Sequence, residues 1–316
     1  MDWIPPMEPI STKILMLGEE WIHQIKWDGI RGMTYIDESS HRVFTKNGNE
    51  RTIYYPELNE IKGLVNGKKM VLDGEIVVLD DNNRPTFQQS LIRERVSNPH
   101  RVNYYARQYP VVYVIFDILF LGDRALTSLP LKNRREILYE SIQIGPSITI
   151  TDDFKDGKGL FNLMKNKNWE GIVSKRLDSH YLPAKNHKAW YKLKTMKKML
   201  AVVCGIQWKN GFPNSLVLGI YQEEHWVFIG KASLGLTQND LKNLKEYSTA
   251  LKSQESPFTN TIGMSKEPIT WLQPIITCWV SFLEWTNDDV LRHPKILGFS
   301  NQKAIEADGK EWAIDG

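Results

Sequence analysis

Hydrophobic runs separated by short polar connections organise the first two thirds of the chain. Apolar or alternating segments predict strands at residues 21–26, 32–36, 71–79, 111–121, 171–175 and 190–194. Amphipathic segments predict helices at residues 55–64, 87–96, 131–140 and 159–166, the third of them started by a proline and carrying a basic face. This mixture favours an α+β domain, built on antiparallel sheets, that spans residues 1–195.

After Thr195 the pattern changes to short strands punctuated by turn residues. Segments 201–207, 215–222, 225–230 and 275–285 predict strands, and segment 237–251 predicts one helix. A few strands with a single helix are typical of a small barrel such as the oligonucleotide-binding (OB) fold. We therefore expect a second domain, an OB-fold β-barrel, over residues 196–316.

Composition narrows the class of protein. A chain of 316 residues divides more readily into two domains than into one or three. The two cysteines, Cys204 and Cys278, exclude a four-cysteine zinc module and a disulfide framework. The N-terminus lacks a signal-peptide pattern, and the longest apolar run, 111–121, is too short to span a bilayer. We expect a soluble, cytoplasmic protein with no membrane partner.

The net charge of +3 is mild, so the placement of charge carries any nucleic-acid argument. No acidic residue occurs from Ser179 to Gln222, a stretch rich in lysine that predicts a phosphate-facing cleft; a solvated face is the alternative for each single lysine. A second basic patch interleaves arginine with tyrosine and is typical either of a nucleic-acid surface or of an ordinary helix and loop. Its members are Arg93, Arg95, Arg101, Arg107, Tyr104 and Tyr105.

The candidate chemistry begins at Lys26, in Ile25-Lys26-Trp27-Asp28-Gly29-Ile30-Arg31. Apolar neighbours disfavour the ammonium form of a lysine, and Gly29 allows a tight turn. Arg31 offers a planar fork for phosphate, so the stretch predicts a lysine nucleophile beside a phosphate site. Taken alone, it also fits an exposed lysine at a turn.

Later segments supply complementary groups. Glu75, at the start of a buried strand, is costly unless it binds a ribose hydroxyl or a metal, whereas Asp73 could simply cap a turn. Asp117 interrupts the most apolar segment and needs a partner, and the neighbouring Phe116 is either core or a base-stacking ring. The pair Glu170 and Lys175 brackets a short strand.

The segment Trp190-Tyr191-Lys192-Leu193-Lys194 puts Lys192 and Lys194 on one strand face, because side chains alternate along a strand. Two lysines on one face point to an anion such as a triphosphate.

The order of these motifs resembles the covalent nucleotidyltransferases. Lys-x-Asp-Gly-x-Arg is followed by Asp-Gly-Glu, Phe-Asp, Glu-Gly-x-x-x-Lys and Trp-x-Lys-x-Lys. This superfamily includes ATP-dependent DNA ligases, RNA ligases and mRNA capping guanylyltransferases. The later Phe282-Leu283-Glu284-Trp285-Thr286 and Leu291-Arg292-His293-Pro294 resemble the ligase domain of the bacterial ligase D group, which acts in end joining with the Ku protein.

The resemblance implies a role for each matching residue. Lys26 is the adenylylated nucleophile, and Gln24, often Glu in the family, lies near the adenine, on which Phe116 stacks. Phosphate contacts are implied for Arg31, which could also contact the nick, and for Lys46, Lys175, Lys192 and Lys194. Lys46 stands where the family often has Arg and is a weaker fork. Glu75 contacts the ribose or a metal, and Glu170 helps hold the divalent metal.

The implied enzyme is an ATP-dependent DNA ligase that uses ATP with Mg²⁺ (or Mn²⁺) and seals nicked or broken double-stranded DNA. It is expected to be a monomer, with Ku as a partner suggested by the resemblance. The alternatives are an RNA ligase or capping-type guanylyltransferase, and a nick-binding protein with impaired self-adenylylation. The last arises because Ser300-Asn301-Gln302-Lys303 replaces the usual Arg-x-Asp-Lys. NAD⁺ is disfavoured as the donor, since the four-cysteine zinc site of the NAD⁺-dependent ligases has no counterpart.

Overall fold

The computed structural model describes residues 3–38, 40–65, 69–260 and 267–314. The chain divides between Thr195 and Met196 into two compact units. Among the residues just given, no helix is long and apolar enough to cross a membrane.

The first unit holds ten strands and five helices within its described residues. The strands are β1 (Glu8–Thr12), β2 (Trp21–Ile25), β3 (Ile30–Ile36), β4 (His41–Thr45), β5 (Met70–Val78), β6 (Val111–Leu121), β7 (Arg124–Ala125), β8 (Ile148–Ile150), β9 (Gly171–Arg176) and β10 (Asn186–Lys194). The helices are α1 (Ile61–Leu64), α2 (Phe87–Glu94), α3 (Val102–Gln108), α4 (Leu131–Ser141) and α5 (Gly157–Lys167). Short 3₁₀ helices occupy Thr52–Tyr54, Pro56–Glu60 and Pro99–Arg101.

These strands form two sheets. The order β1-β10-β9-β2 makes a four-stranded sheet, and β4-β3-β5-β6-β7 makes a larger one in which β8 also pairs with β6. Pairing is antiparallel except at β1–β10 and β6–β8. The β-branched and aromatic residues of β6 suit a strand that is covered on both faces, and most of them are buried.

The two sheets of the first unit pack face to face through a shared apolar cluster. Met33 and Tyr35 of β3 meet Trp190 of β10 there, together with Met7 and Tyr181. A second cluster lies on the other face of the larger sheet, and α5 covers the four-stranded sheet near Ile172. The space between the sheets is therefore where side chains from both can converge.

The second unit is built around one long strand. Its elements within the described residues are β11 (Lys197–Lys209), β12 (Phe212–Gln222), β13 (His225–Ala232), α6 (Gln238–Ala250), β14 (Ile269–Trp271), β15 (Thr277–Phe282), β16 (Lys295–Ser300), a 3₁₀ helix (Ala304–Glu306) and β17 (Glu311–Ala313). The sheet order is β13-β12-β11-β15-β16, with β14 and β17 also on β11. A bridge from Leu234 to Lys295 links the segment after β13 to β16, which lies at the opposite end of that order.

The α+β class and the antiparallel sheets predicted from the sequence are confirmed. The helix predicted at 55–64 is wrong in type, because Pro56–Glu60 is 3₁₀ and only Ile61–Leu64 is α-helical. Tyr55, Leu58 and Ile61 are all fully buried, and this spacing of three residues is the period of a 3₁₀ helix.

The sequence patterns also misplaced several elements. The strand predicted at 275–285 is shorter and runs only over Thr277–Phe282. Strands β1, β4 and β16 and helix α3 were not predicted. The basic residues predicted on α4 divide between surface and interior, since Lys132 is exposed whereas Arg134 and Arg135 are both buried.

Candidate active site

Lys26 follows directly after β2, and its backbone N–H donates to the Gly171 carbonyl at 2.9 Å. Its Nζ donates to Glu170 Oε2 at 2.5 Å, while Lys194 Nζ lies 2.8 Å from Glu170 Oε1. Burial acts to raise the pKa of Glu170, but attraction and hydrogen bonds from the two lysines hold that pKa below its ordinary value. Glu170 is thus a carboxylate shared by Lys26 and Lys194.

Lys26 opens onto a cavity of about 190 Å³ between the two sheets. Five cationic and two acidic side chains line it, together with aromatic and aliphatic groups. The lining residues are Glu8, Pro9, Gln24, Ile25, Lys26, Trp27, Arg31, Lys46, Glu75, Phe116, Val173, Lys175, Trp190 and Lys192. A concave site with an excess of positive charge suits a phosphorylated ligand with an apolar base.

Gly29 allows the stretch after Lys26 to run close to β5. A Cβ at Gly29 would overlap the Ile76 carbonyl oxygen, so a larger residue would push the two segments apart. The close approach puts Arg31 of β3 opposite Glu75 of β5.

Arg31 is fixed in place by a buried carboxylate. Its Nε and one terminal nitrogen donate to the two oxygens of Asp73 at 2.5 and 2.6 Å, and the same terminal nitrogen donates to the Met7 carbonyl at 3.0 Å. Tyr181 donates its hydroxyl to Asp73 at 2.6 Å. Asp73 is fully buried within β5 and does not cap a turn; the hydrogen-bond pattern instead aligns Arg31 rigidly at the cavity wall.

The half-buried ring of Phe116 lines the cavity. Lys175 Nζ lies 4.2 Å from its centroid and the Arg31 guanidinium carbon lies 4.6 Å from it. Trp190 meets the same ring edge-on at 6.4 Å. A base stacked on Phe116 would therefore share that ring with two cations.

Lys175 is buried, and its Nζ has no hydrogen-bond partner among the residues described. That nitrogen lies 4.1 Å from the Trp190 ring centroid. Burial lowers the pKa of Lys175 to about 7, helped by Arg135 and Arg31 and opposed by Asp117 and Asp73. A buried ammonium without a hydrogen-bond acceptor is a position where an anion would bind.

Two further cavity groups titrate abnormally. Burial raises the pKa of Glu75 to about 7, although Lys26 and Arg31 act in the opposite direction. Burial also lowers the pKa of Lys192, and Lys26 and Lys194 lower it further. Strongly perturbed groups gathered in one cavity are typical of functional sites.

Lys46 and Gln24 complete the predicted set. Lys46 pairs with Glu8 of β1 at 2.8 Å, and both side chains are partly exposed. Gln24 is buried, and its Nε2 donates to Asp153 Oδ1 at 2.7 Å. Of the ten residues predicted for the site, eight line the cavity. Glu170 contacts the lining residue Lys26, and Lys194 contacts Glu170.

Several contributing residues were not predicted. Trp190, Val173 and Trp27 line the cavity, and Asp73 holds Arg31. Trp190 could have been found from period-two alternation, because it shares a strand face with Lys192. The role of Asp73 carries no local signal, since its partner lies 42 residues away in the sequence.

Two other predictions have clear outcomes. Asp117 does have a partner: Arg134 donates to both of its oxygens at 2.8 and 2.9 Å, and both side chains are fully buried. Arg93 does not belong to a surface patch, because it is buried and donates to Glu57 at 2.6 Å. Arg95 and Arg101 instead line a separate hollow of about 270 Å³ with Tyr105.

The segment Ser300–Lys303 lies in the second unit. Thr277 donates its hydroxyl to the Ser300 carbonyl at 3.1 Å and to the Gln302 carbonyl at 2.9 Å. Asn301 and Gln302 are exposed. Thr277 thus fixes the backbone of a segment that offers an amide, not a guanidinium, to solvent.

Comparison with known proteins gives a consistent result. The family described as "ATP dependent DNA ligase domain" matches residues 6–194, and "ATP dependent DNA ligase C terminal region" matches residues 209–303. The multifunctional non-homologous end joining DNA repair protein LigD of Mycobacterium tuberculosis is 31% identical over 307 residues, which cover 95% of this chain and 38% of that protein. The chain thus spans less than two fifths of this relative.

Solved structures agree with the sequence matches. A mycobacterial DNA ligase D complexed with ATP and MES aligns with a TM-score of 0.56 at 29% identity, over 96% of this chain and 97% of the other. A Lig E DNA ligase aligns with a TM-score of 0.61 at 14% identity, over 93% and 100%, a likeness of fold alone. These matches confirm the family resemblance that the motifs predicted.

Proposed function

Because the chain belongs to the ATP-dependent DNA ligase family, we propose that it joins 3′-hydroxyl and 5′-phosphate ends of double-stranded DNA through a lysyl-AMP intermediate on Lys26. The observation that carries the proposal is Lys26 itself, hydrogen-bonded to Glu170 at the edge of a cation-lined cavity. The expected substrates are nicked or broken duplexes.

The reaction consists of three phosphoryl transfers. Lys26 Nζ attacks the α-phosphorus of ATP, a P–N bond forms, and the P–O bond to pyrophosphate breaks. The AMP phosphorus then passes to a DNA 5′-phosphate oxygen, which breaks the P–N bond. Finally the 3′-hydroxyl attacks the activated 5′-phosphorus and AMP leaves. Such transfers depend mainly on positioning and charge neutralisation.

The chain's own residues have defined tasks in this scheme. Lys26 attacks only as the neutral amine, and Glu170 Oε2, which accepts a hydrogen bond from Lys26 Nζ at 2.5 Å, holds that nitrogen in place at the edge of the cavity. Lys175 and Lys192 would neutralise phosphate oxygens, and binding an anion would favour their charged forms. Arg31, aligned by Asp73, would hold a further phosphate oxygen.

The acidic residues fit a Mg²⁺ or Mn²⁺ ion only in part. Among the described residues no group of three metal-ligating side chains occurs, which suits an ion held by one or two carboxylates and substrate phosphates. Glu75 lines the cavity and is a candidate ligand. Glu170 could join it only on releasing Lys26 or Lys194, which occupy its two oxygens. A bound ion would add charge neutralisation at the phosphates.

The wider setting follows the family. We propose that residues 1–195 form the adenylation domain and that residues 196–316 form an OB-fold domain. The bridge between Leu234 and Lys295 supports the barrel assignment, because it joins segments at opposite ends of the sheet. A cytoplasmic monomer that acts in end-joining repair, with Ku as a partner, is proposed by analogy with the LigD relatives.

The central test is sealing of a nicked duplex by wild type, Lys26→Ala and Lys158→Ala. Lys158 is an exposed lysine on α5, away from the cavity, and serves as the matched control. We expect wild type and Lys158→Ala to seal the nick and to carry a covalent AMP that mass spectrometry locates on Lys26. Equal sealing by Lys26→Ala would refute the proposal.

Nucleotide and nucleic-acid choice separates the neighbouring activities. Labelling of Lys26 by GTP and not by ATP would indicate a capping-type guanylyltransferase. Sealing of a nick in RNA but not in DNA would indicate an RNA ligase.

A second candidate function is a nick-binding protein that loads AMP poorly, favoured by Ser300 and Gln302, which stand in place of the arginine and the aspartate of the usual Arg-x-Asp-Lys. A duplex that already carries AMP on its 5′-phosphate bypasses the loading step. If that duplex is sealed much faster than an ordinary nick with ATP, self-adenylylation limits the enzyme. If purified protein binds nicks but never acquires AMP, this candidate replaces the ligase.

A further inference from the structure

A chain of hydrogen bonds behind the cavity ends on Gln24. Gln24 lies on β2, lines the cavity and is only 2% exposed. Its Nε2 donates to Asp153 Oδ1 at 2.7 Å, and Arg135 Nε donates to Asp153 Oδ2 at 2.8 Å. Each carboxylate oxygen of Asp153 therefore has a different donor.

Arg135 is a rigid support for this chain. It is buried on α4 and also donates to the Thr151 carbonyl at 2.6 Å and to the Tyr139 hydroxyl at 2.7 Å. A weaker bond reaches the Phe116 carbonyl at 3.2 Å. With its nitrogens held at these points, Arg135 fixes where the Asp153 carboxylate stands.

The chemistry of Asp153 decides which way the Gln24 amide faces. A glutamine amide has a donor end and an acceptor end, whereas a carboxylate paired with arginine only accepts. The NH₂ end of Gln24 must therefore face Asp153, and its carbonyl oxygen is left for the cavity. Among the described residues, none donates to that oxygen.

We propose that Asp153 and Arg135 are positioning residues that make Gln24 a hydrogen-bond acceptor for the 6-amino group of a purine. The 6-amino group of adenine would donate to Gln24 Oε1. The 6-oxo group of hypoxanthine or guanine would instead place a second acceptor oxygen against Gln24 Oε1, and no hydrogen bond could form. This inference rests on the proposed function and assigns nucleotide selection to residues outside the cavity wall. A flipped amide would invert the preference.

The test compares equilibrium binding of ATP and ITP by calorimetry, in a Lys26→Ala background that blocks covalent chemistry. Asp153→Asn removes the acceptor-only partner and lets the Gln24 amide rotate. We expect the ATP-over-ITP preference to fall by about tenfold or more, because an unmatched buried polar pair is costly. Asp152→Asn makes the same charge change at the adjacent residue, which is exposed as Asp153 is, whereas Gln24 donates to Asp153. This control should keep the preference.

A paired exchange supplies the rescue. Gln24→Glu alone sets a second carboxylate against Asp153 and should weaken ATP binding. Gln24→Glu combined with Asp153→Asn reverses the direction of the hydrogen bond, since the introduced asparagine amide would donate to the introduced glutamate carboxylate. An acceptor oxygen again faces the cavity, so the preference for ATP should return.

Three outcomes separate the possibilities. If Asp153→Asn weakens ATP and ITP equally and keeps their ratio, its role is structural only and the proposal is wrong. If that variant does not fold, the paired exchange decides, because it must prefer ATP. If the protein with Asp153 and Gln24 intact binds neither nucleotide, the proposed function fails first.

Discussion

Replacing Lys175 by methionine should stabilise the nucleotide-free protein while weakening its hold on ATP. Methionine keeps the length and apolar stem of lysine but removes the ammonium group. In the wild type that ammonium is buried with no hydrogen-bond acceptor among the described residues. The substitution therefore removes an unfavourable charge from the free protein and a phosphate ligand from the loaded one.

The magnitude follows from the pKa of Lys175, which burial lowers from 10.5 to about 7. A lysine whose pKa is lower in the folded protein than in the unfolded chain reduces the free energy of unfolding. This reduction is absent at a pH above the pKa of the unfolded chain, and it grows as the pH falls towards the pKa of the folded protein. The gap of about 3.5 pH units, at about 1.4 kcal/mol each, gives a cost of about 5 kcal/mol below pH 7. The cost should shrink to about 2 kcal/mol at pH 9.

Two contacts offset part of this cost. The ammonium lies 4.2 and 4.1 Å from the centroids of Phe116 and Trp190, and each desolvated cation–π contact contributes about 1–2 kcal/mol. We therefore expect Lys175→Met to gain about 1–3 kcal/mol at pH 6. The gain should decline by pH 9, as the wild-type lysine loses its proton.

The assay is thermal unfolding of the two proteins between pH 6 and pH 9, with and without ATP. Each kcal/mol corresponds to about 2–4 °C for a domain of this size. ATP should raise the melting temperature of wild type more than that of Lys175→Met, and Lys158→Met should behave as wild type does. A variant less stable than wild type at pH 6, or a difference that does not vary with pH, would refute the reasoning.

Three further predictions concern other parts of the molecule. Arg134→Met should destabilise the first unit by about 3–5 kcal/mol, measured by denaturant unfolding, because it leaves a buried aspartate unpaired; a loss below about 1 kcal/mol would contradict this. Ala184→Gly should raise the melting temperature, since Ala184 has a φ of +60° that costs an L-residue about 1 kcal/mol; a lower melting temperature would count against it. Replacing Arg95 and Arg101 together by Gln should weaken DNA binding and leave adenylylation unchanged, and the slope of log binding constant against log salt concentration should fall by about 2. Arg124→Gln, a control at an exposed arginine, should leave DNA binding and this slope unchanged. An unchanged slope in the double variant would show that the hollow contacts no DNA.

The sequence was most informative where a pattern is local. The strands near the cavity are runs of apolar or alternating residues, and both Lys192 and Lys194 could be placed on one face from period-two alternation. Lys26 and Arg31 carry their signal in a stretch of seven residues. Such features depend on neighbours in the chain, so the sequence alone predicts them.

What escaped prediction depends on distant partners. Gln24 and Asp153 are separated by 129 positions, and the sequence around neither residue predicts the hydrogen bond between them. Strand β1 was missed because its five residues include a proline and are mostly half-buried, and it is a strand only by virtue of β10. The fate of Arg134 was likewise undetermined, since a basic helix face looks the same in sequence whether it meets water or a buried aspartate.

The pairing of β1 with β10 also sets a minimum time for completing the site during biosynthesis. Glu8 and the Met7 carbonyl, which contact Lys46 and Arg31, belong to a segment that must wait for residues 186–194 before it has a strand to join. At about 5–20 residues per second, that wait lasts roughly 10–40 s after the N-terminus is made. The segment of the cavity that is synthesised first is therefore among the last to take up its final position. ATP cannot bind a complete site on a nascent chain until both β1 and β10 have emerged.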